Sequence, residues 1–341
     1  MSQNQDQNNL QLLAIGNAIV DVLAQVSDDT VDEQVNLGMA RGGMTLIDEQ
    51  RAEHLTSMLD NPEIISGGSA ANTLACFSAL GGNAAYIGKV ADDELGQSFR
   101  EGMTTQNTIF TTESLAGGPA TARCIILISP DAERSMNTYL GACTTLCEDD
   151  IDENLVKRAE ITYLEGYLFD PEEAKKAFYK AAKIAEEAGR KIALTLSDSF
   201  CVHRHRDDFL KFIKNHVDIL FANEEELCAL YEHGFDAALQ KVGEDCALAC
   251  VTRGKNGSVI WQEGKRTDIE AVPPTCLIDS TGAGDAYAAG FLHGYVNGAD
   301  MATCGHLASR AASEIIAAIG PRPQENFAAR VSQESMKKVA S

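Results

Sequence analysis

From residue 160 onward, short apolar runs alternate with stretches whose apolar residues recur every three or four positions. Such an alternation of strand-like and helix-like segments predicts a parallel sheet with crossover helices. Asp170-Pro171-Glu172-Glu173 is a helix start, with a capping side chain, a proline in the first turn and acids near the positive end of the dipole. The helix predicted from it shows Phe178, Ala181, Ile184, Ala185 and Ala188 on one face and ends at Gly189. KIALTLS (191–197) follows as a buried strand, a polar helix is expected near 207–216, and VDILFA (217–222) is a second strand. Asn223 then opens the acidic helix EEELCALY, ALACVT (247–252) and GSVIWQ (257–262) flank the hairpin turn RGKN, and helices near 284–297 and 301–318 close the chain.

The N-terminal third reads differently. LLAIGNAIVDVLAQV (12–26) is apolar and rich in β-branched residues, and TARCIILIS (121–129) and RSMNTYLGA (134–142) look like strands with no helix between them. A smaller β-rich element beside the α/β layer is the expectation. No repeat and no Pro/Gly/Ser-rich linker divides the chain, so the reading is one domain over 12–330, preceded by a disordered lead-in at 1–11.

Composition narrows the function classes. The chain has 341 residues, 45% hydrophobic and 23% charged, with no apolar run near the ~18 residues that span a bilayer. Lys plus Arg total 28 against 50 Asp plus Glu, a net charge of −22 that leaves no excess cation for nucleic acid or a membrane surface. The first eleven residues carry neither a basic cluster nor an apolar h-region, so the expected location is the cytoplasm. Ten cysteines occur without a CxxC pair or histidines at zinc-ligand spacing and are read as reduced thiols, mostly in the core.

Two glycine turns carry the chemistry. In Ile278-Asp279-Ser280-Thr281-Gly282-Ala283-Gly284-Asp285, an apolar strand is expected to run into a glycine turn and then a helix. Backbone N–H groups there can cradle phosphate oxygens, and Asp285 at the mouth is suited to taking a proton from an attacking hydroxyl. A plain helix cap explains the same residues equally well. Ser66-Gly67-Gly68-Ser69-Ala70-Ala71-Asn72 is a second glycine turn opening a helix, where small residues admit a hydroxylated ligand and Asn72 offers a donor and an acceptor. GxGxxG fails because Tyr287 stands at the third glycine, and GxxxxGK[ST] fails because Gly88-Lys89 lies between Asn83 and Val90, so neither a dinucleotide fingerprint nor a P-loop is present. His203 and His205 lack a third metal ligand, and the acids at 148–153 read as a helix cap with a solvated face.

GGSAAN followed about 210 residues later by DSTGAGDAYAAGF resembles the two signature regions of the PfkB/ribokinase family. IGKVADDELG (87–96), Asn223 to Glu226 as an N-x-x-E element, and Thr252-Arg253-Gly254-Lys255-Asn256-Gly257 are similar to further family motifs in the expected order. Gly16-Asn17-Ala18-Ile19-Val20-Asp21, Arg134 to Cys143 and Leu196 to Phe200 resemble the members that phosphorylate adenosine, while the Arg41-Gly42-Gly43-Met44 turn departs from them.

The resemblance implies an α/β, ribokinase-like fold: a mostly parallel central sheet flanked by helices, with a small β-rich lid from parts of about 14–47 and 110–140. It implies Asp285 as catalytic base and Gly282, Ala283 and Gly284 as anion hole. Asn17, Asp21, Gly67, Gly68, Asn72 and Tyr167 would bind the acceptor; Asn223, Thr252, Arg253, Gly254 and Gly257 would bind ATP; and Glu226 would hold Mg²⁺ through water. His306 resembles a position near the adenine of ATP. The implied reaction is phosphoryl transfer from ATP to the 5′-hydroxyl of adenosine, with another nucleoside or a sugar as the alternative acceptor. A monovalent cation, and a monomer or homodimer, are compatible with it. A nucleoside-binding sensor without catalysis is the competing reading.

Overall fold

The computed structural model describes residues 10–131 and 133–332. Fourteen strands among them form two sheets. In chain order they are β1 (Leu10–Ile15), β2 (Ile19–Gln25), β3 (Met44–Leu46), β4 (Glu63–Gly67), β5 (Ala84–Ile87), β6 (Ile109–Phe110), β7 (Ala122–Ile128), β8 (Arg134–Tyr139), β9 (Ala159–Glu165), β10 (Lys191–Thr195), β11 (Ile219–Asn223), β12 (Leu248–Thr252), β13 (Ser258–Gln262) and β14 (Lys265–Ile269).

The large sheet has the order β14-β13-β12-β11-β10-β9-β1-β5-β6. From β12 to β6 every neighbouring pair is parallel, and β13 and β14 add antiparallel edges. Its central strands are apolar on both faces because helices cover both, whereas the edge strand β14 carries Lys265, Arg266 and Asp268. In β1 the alternation is direct: Leu13 and Ile15 join one core with Phe169, Phe178 and Phe212, while Leu12 and Ala14 join the other with Phe77, Tyr163 and Phe291. The helices Glu172–Glu187 and Ser199–His216 supply the first core; Ser69–Ala79, Ala283–Val296 and Met301–Ile315 supply the second.

The second sheet has the order β3-β8-β7-β2-β4. One face packs Ile125, Leu127 and Tyr139 against Val31, Ala52 and Leu55 from the helices Asp28–Asn36 and Glu49–Ser57. From the strands' other face, Ile128 and Met136 line a cavity of about 630 Å³ whose far wall is Ile278–Thr281 and Ile319. A largely buried ion pair, Arg134 to Asp279 at 2.8 Å, crosses between the two layers.

Several local expectations need correction. The apolar stretch 12–26 is two strands in different sheets, broken at Gly16-Asn17-Ala18, and the first begins at Leu10, inside the expected lead-in; residues 1–9 lie outside the described residues. The break is enforced at Gly16, where a Cβ would come within 2.5 Å of both Ala70 Cβ and Glu165 Oε2. β4, which falls outside the two stretches expected to build the small sheet, closes one edge of it. Asp170 does not cap the following helix, whose N-cap is Pro171, because Arg204 Nε and Nη2 and His205 Nε2 claim its carboxylate at 3.0, 2.9 and 2.6 Å. The polar helix expected near 207–216 starts earlier, at Ser199, with a break at His205 (φ −123°, ψ 23°). No strand precedes the Gly282 turn: Leu277 and Ile278 are exposed and lie in a loop.

Candidate active site

In an open α/β sheet, loops at the carboxyl ends of the strands form the ligand crevice. Here β1 leads into Gly16-Asn17, β9 ends at Glu165 and leads into Gly166-Tyr167, β10 ends at Thr195 and leads into Leu196-Ser197, β11 ends at Asn223 and β12 at Thr252. Against them lies the start of the Ala283–Val296 helix, where Gly282 is the N-cap in the left-handed region (φ 77°, ψ 4°) with no side chain capping the turn. The Ala283 N–H donates to the Ser280 carbonyl at 3.3 Å, while the next N–H groups, of Gly284 and Asp285, have no carbonyl partner within the helix and leave positive potential at the cavity wall. Gly282 is also required by packing, since a Cβ there would meet Pro321 Cβ at 2.5 Å, whereas nothing lies within 4 Å of a Cβ at Gly284, which faces open space.

A cavity of about 330 Å³ joins this turn to the strand ends. Gly282, Ala283, Gly284, Asp285 and Ser69 line one side; Tyr167, Ser197, Asn223, Glu226 and Thr252 line another. Asp285 is held by two side chains of the Ser69–Ala79 helix: Ser69 Oγ donates to Oδ1 at 2.6 Å and Asn72 Nδ2 to Oδ2 at 3.2 Å. Burial pushes the Asp285 carboxyl up to about 6, against the opposing pull of Ser69, Asn72 and the Arg322 guanidinium. That value suits a base that is ionised at neutral pH and still accepts a proton. Asn72 Oδ1 is buried without a partner, an acceptor that a ligand hydroxyl would satisfy.

Asn17, Asp21, Gly67 and Gly68, expected to bind the acceptor, do not line that cavity. Asp21, on β2, abuts Gly67, where a Cβ would fall 2.5 Å from Asp21 Oδ2. Gly68 (φ 93°) passes Asn17 so closely that a Cβ would be 2.3 Å from the Asn17 carbonyl oxygen. Burial raises the Asp21 carboxyl to about 6, with Arg322 and Arg134 holding it down. Glu165, which sequence reasoning missed, organises this region: Asn17 Nδ2 and N donate to Oε1 at 2.8 and 3.3 Å, and Ala70 N donates to Oε2 at 2.9 Å. Burial drives its carboxyl up to about 7. A lone acid in the apolar run TYLEGYLF was the available signal. Arg322 was also missed: its guanidinium donates to the backbone oxygens of Ser66 and Ala71 and to Gln106 Oε1.

The expected nucleotide residues divide. Asn223 and Glu226 form a reciprocal capping box: Asn223 Nδ2 and N donate to the two Glu226 oxygens at 2.7 and 2.9 Å, and Glu226 N donates to Asn223 Oδ1 at 2.8 Å. Burial raises the Glu226 carboxyl to about 7. Its oxygens are engaged, and the described residues hold no group of three His, Cys, Asp or Glu able to hold a metal. Glu226 lines the cavity, and Mg²⁺ there would be held through water and substrate phosphates. Arg253 does not line the cavity: Nε pairs with Glu224 Oε2 at 2.9 Å and the guanidinium lies 4.2 Å over the Phe235 ring. Gly254 and Gly257 shape the β12–β13 hairpin, and a Cβ on Gly257 would meet Ile269 O at 2.0 Å.

Asp21 and Asp285 (ordinary value 3.8) and Glu165 and Glu226 (4.5) are all raised. In the window between these values and about 6 to 7, the folded chain keeps protons that the unfolded chain has released. Stability contributed by these groups is complete below the unfolded values and is lost as pH rises through about 6 to 7. The urea unfolding midpoint is therefore expected to be higher at about pH 5.5 than at about pH 8, and the reverse order would contradict the assignment of these carboxyls.

This fold and site define a kinase of nucleosides or sugars. The model of the pfkB family of carbohydrate kinases matches residues 43–326, and the chain belongs to that family. It is 46% identical to the adenosine kinase of Sinorhizobium meliloti, whose crystal structure superposes with a TM-score of 0.86 over 98% of this chain and 100% of that one. A crystal structure of a probable sugar kinase from Rhizobium etli CFN 42 is 42% identical, with a TM-score of 0.88 over 96% and 99% of the two chains. The adenosine kinase of Saccharomyces cerevisiae is 26% identical over 339 residues, covering 91% of this chain and 96% of its own. ATP is the family's co-substrate. No helix among the described residues is long and apolar enough to cross a membrane.

Proposed function

We propose that this kinase transfers the γ-phosphoryl group of ATP to the 5′-hydroxyl of adenosine, giving AMP and ADP. The observation that carries the reading is Asp285, fixed by Ser69 and Asn72 at the mouth of an uncapped Gly282-Ala283-Gly284 turn, in one cavity with Asn223, Glu226 and Thr252. Asp285 takes the proton of the 5′-hydroxyl as its oxygen attacks the γ-phosphorus, and the bond to the bridging oxygen of ADP breaks. The N–H groups of Gly284 and Asp285 at the helix start stabilise charge on the transferring oxygens. Glu226 would hold magnesium through water, and the ion bound with ATP would supply further charge stabilisation there. Asp21 and Asn17 hold the ribose diol, for which an ionised carboxylate accepts two hydrogen bonds. The small sheet, approaching across its cavity with Arg134, excludes water from the site.

A sugar acceptor is the second reading, favoured by the 42% identity to the probable sugar kinase of Rhizobium etli CFN 42. ADP release from Mg-ATP is measured with adenosine, inosine, guanosine, ribose or fructose as sole acceptor. Turnover with adenosine above the rest is expected. Turnover with ribose or fructose and none with adenosine would move the substrate, and no turnover with any acceptor would favour the sensor.

A further inference from the structure

Between β10 and the Ser199–His216 helix the chain makes an unusual turn. Ser197 has φ 71°, and the N–H of Asp198 donates to the carbonyl of Leu196 at 2.9 Å, an i to i+2 bond across Ser197. A three-residue turn with positive φ at its centre is the rare, strained kind of γ-turn. Glycine would adopt it at little cost, yet the position holds serine. The serine hydroxyl is buried and unpartnered. Ser197 also lines the 330 Å³ cavity together with Asn223, Glu226 and Gly284. Strain and an unsatisfied hydroxyl on one residue, at the wall of a ligand cavity, both cost stability that packing does not explain.

We infer that Ser197 is a binding residue for the polyphosphate of the nucleotide donor, its hydroxyl held by the strained turn to donate to a phosphate oxygen. The chemistry fits: a hydroxyl is the neutral donor a phosphate oxygen accepts, and the carboxylates of Asp285 and Glu226 on the same cavity cannot fill that role when ionised. The inference rests on reading the Asn223 and Glu226 wall as the phosphate face.

The test is isothermal titration of a non-hydrolysable ATP analogue with Mg²⁺, which needs no knowledge of the acceptor. Ser197→Ala is expected to weaken analogue binding about tenfold, as loss of a hydrogen bond to a charged group does, with the KM for the acceptor unchanged. Ser197→Gly is expected to weaken it equally and to raise the urea midpoint, because glycine relieves the positive φ. Glu226→Gln, run alongside, tests the phosphate face by itself. Weakening by Glu226→Gln without weakening by Ser197→Ala would overturn the role of Ser197 while leaving the face in place. No weakening in either variant would remove both, and a raised acceptor KM with unchanged analogue binding in Ser197→Ala would assign the hydroxyl to the acceptor instead.

Discussion

Replacing Asp285 with asparagine is expected to lower kcat by about a hundredfold or more with little change in either KM. The amide keeps the size of the carboxylate, and its oxygen still accepts the bond from Ser69 at Oδ1. It cannot take the proton of the attacking hydroxyl. The other oxygen position becomes an NH₂ facing Asn72 Nδ2, which Asn72 relieves by turning its amide, since its Oδ1 is otherwise unpartnered. Ground-state binding therefore survives and the chemical step does not. In the parent protein the acid limb of kcat/KM should follow protonation of a carboxyl at about 6, the value to which burial raises Asp285. An unchanged kcat in the variant would remove Asp285 from its role.

Asp21→Ala should act on a different quantity. Asp21 lies on β2 opposite Cys124 of β7 and Ile65 of β4, so its backbone is fixed by the sheet and not by its side chain. Its carboxyl occupies the space a Cβ at Gly67 would need and is kept ionised at neutral pH with the help of Arg322 and Arg134, although burial opposes this. Losing two charge-assisted hydrogen bonds to a diol should raise the KM for the acceptor by about a hundredfold, with the KM for ATP little changed. Titration of the variant with adenosine showing undiminished affinity would contradict the sugar-side assignment. The pair separates the two carboxylates, one acting on kcat and the other on the acceptor KM.

The parts of the site legible in the sequence are those written locally. The Gly282 turn with Asp285, the Gly67-Gly68 turn and the Asn223 to Glu226 box each occupy a few consecutive residues, and their glycines and caps have local meanings. What joins them is not local: Ser69 and Asp285 are 216 positions apart and Asn17 and Glu165 are 148 apart. No periodicity announces such contacts. Gly67 and Gly68 were legible as a turn, but the reasons only glycine fits, Asp21 beside one and the Asn17 carbonyl beside the other, belong to the folded chain. Arg322 gave no signal between two prolines.

Arg253 shows what a local reading leaves out. A cation beside a glycine turn reads as a phosphate ligand, and the fold adds a partner from elsewhere in the chain, Glu224 at 2.9 Å, that the turn itself does not announce. The fold was more legible than the site because buried parallel strands and their crossover helices repeat a pattern, while the apolar stretch at 12–26 concealed a change of sheet that depends on Gly16 meeting Glu165.

The central claim is that this chain moves a phosphoryl group to the 5′-oxygen of adenosine using Asp285. The most direct measurement is ³¹P NMR of a mixture of adenosine, Mg-ATP and the protein, with Asp285→Asn in parallel. A growing AMP resonance, coupled to the 5′-methylene protons and matched by ADP, is expected from the parent protein, and almost none from the variant. ADP without AMP, or equal AMP from both proteins, would contradict it.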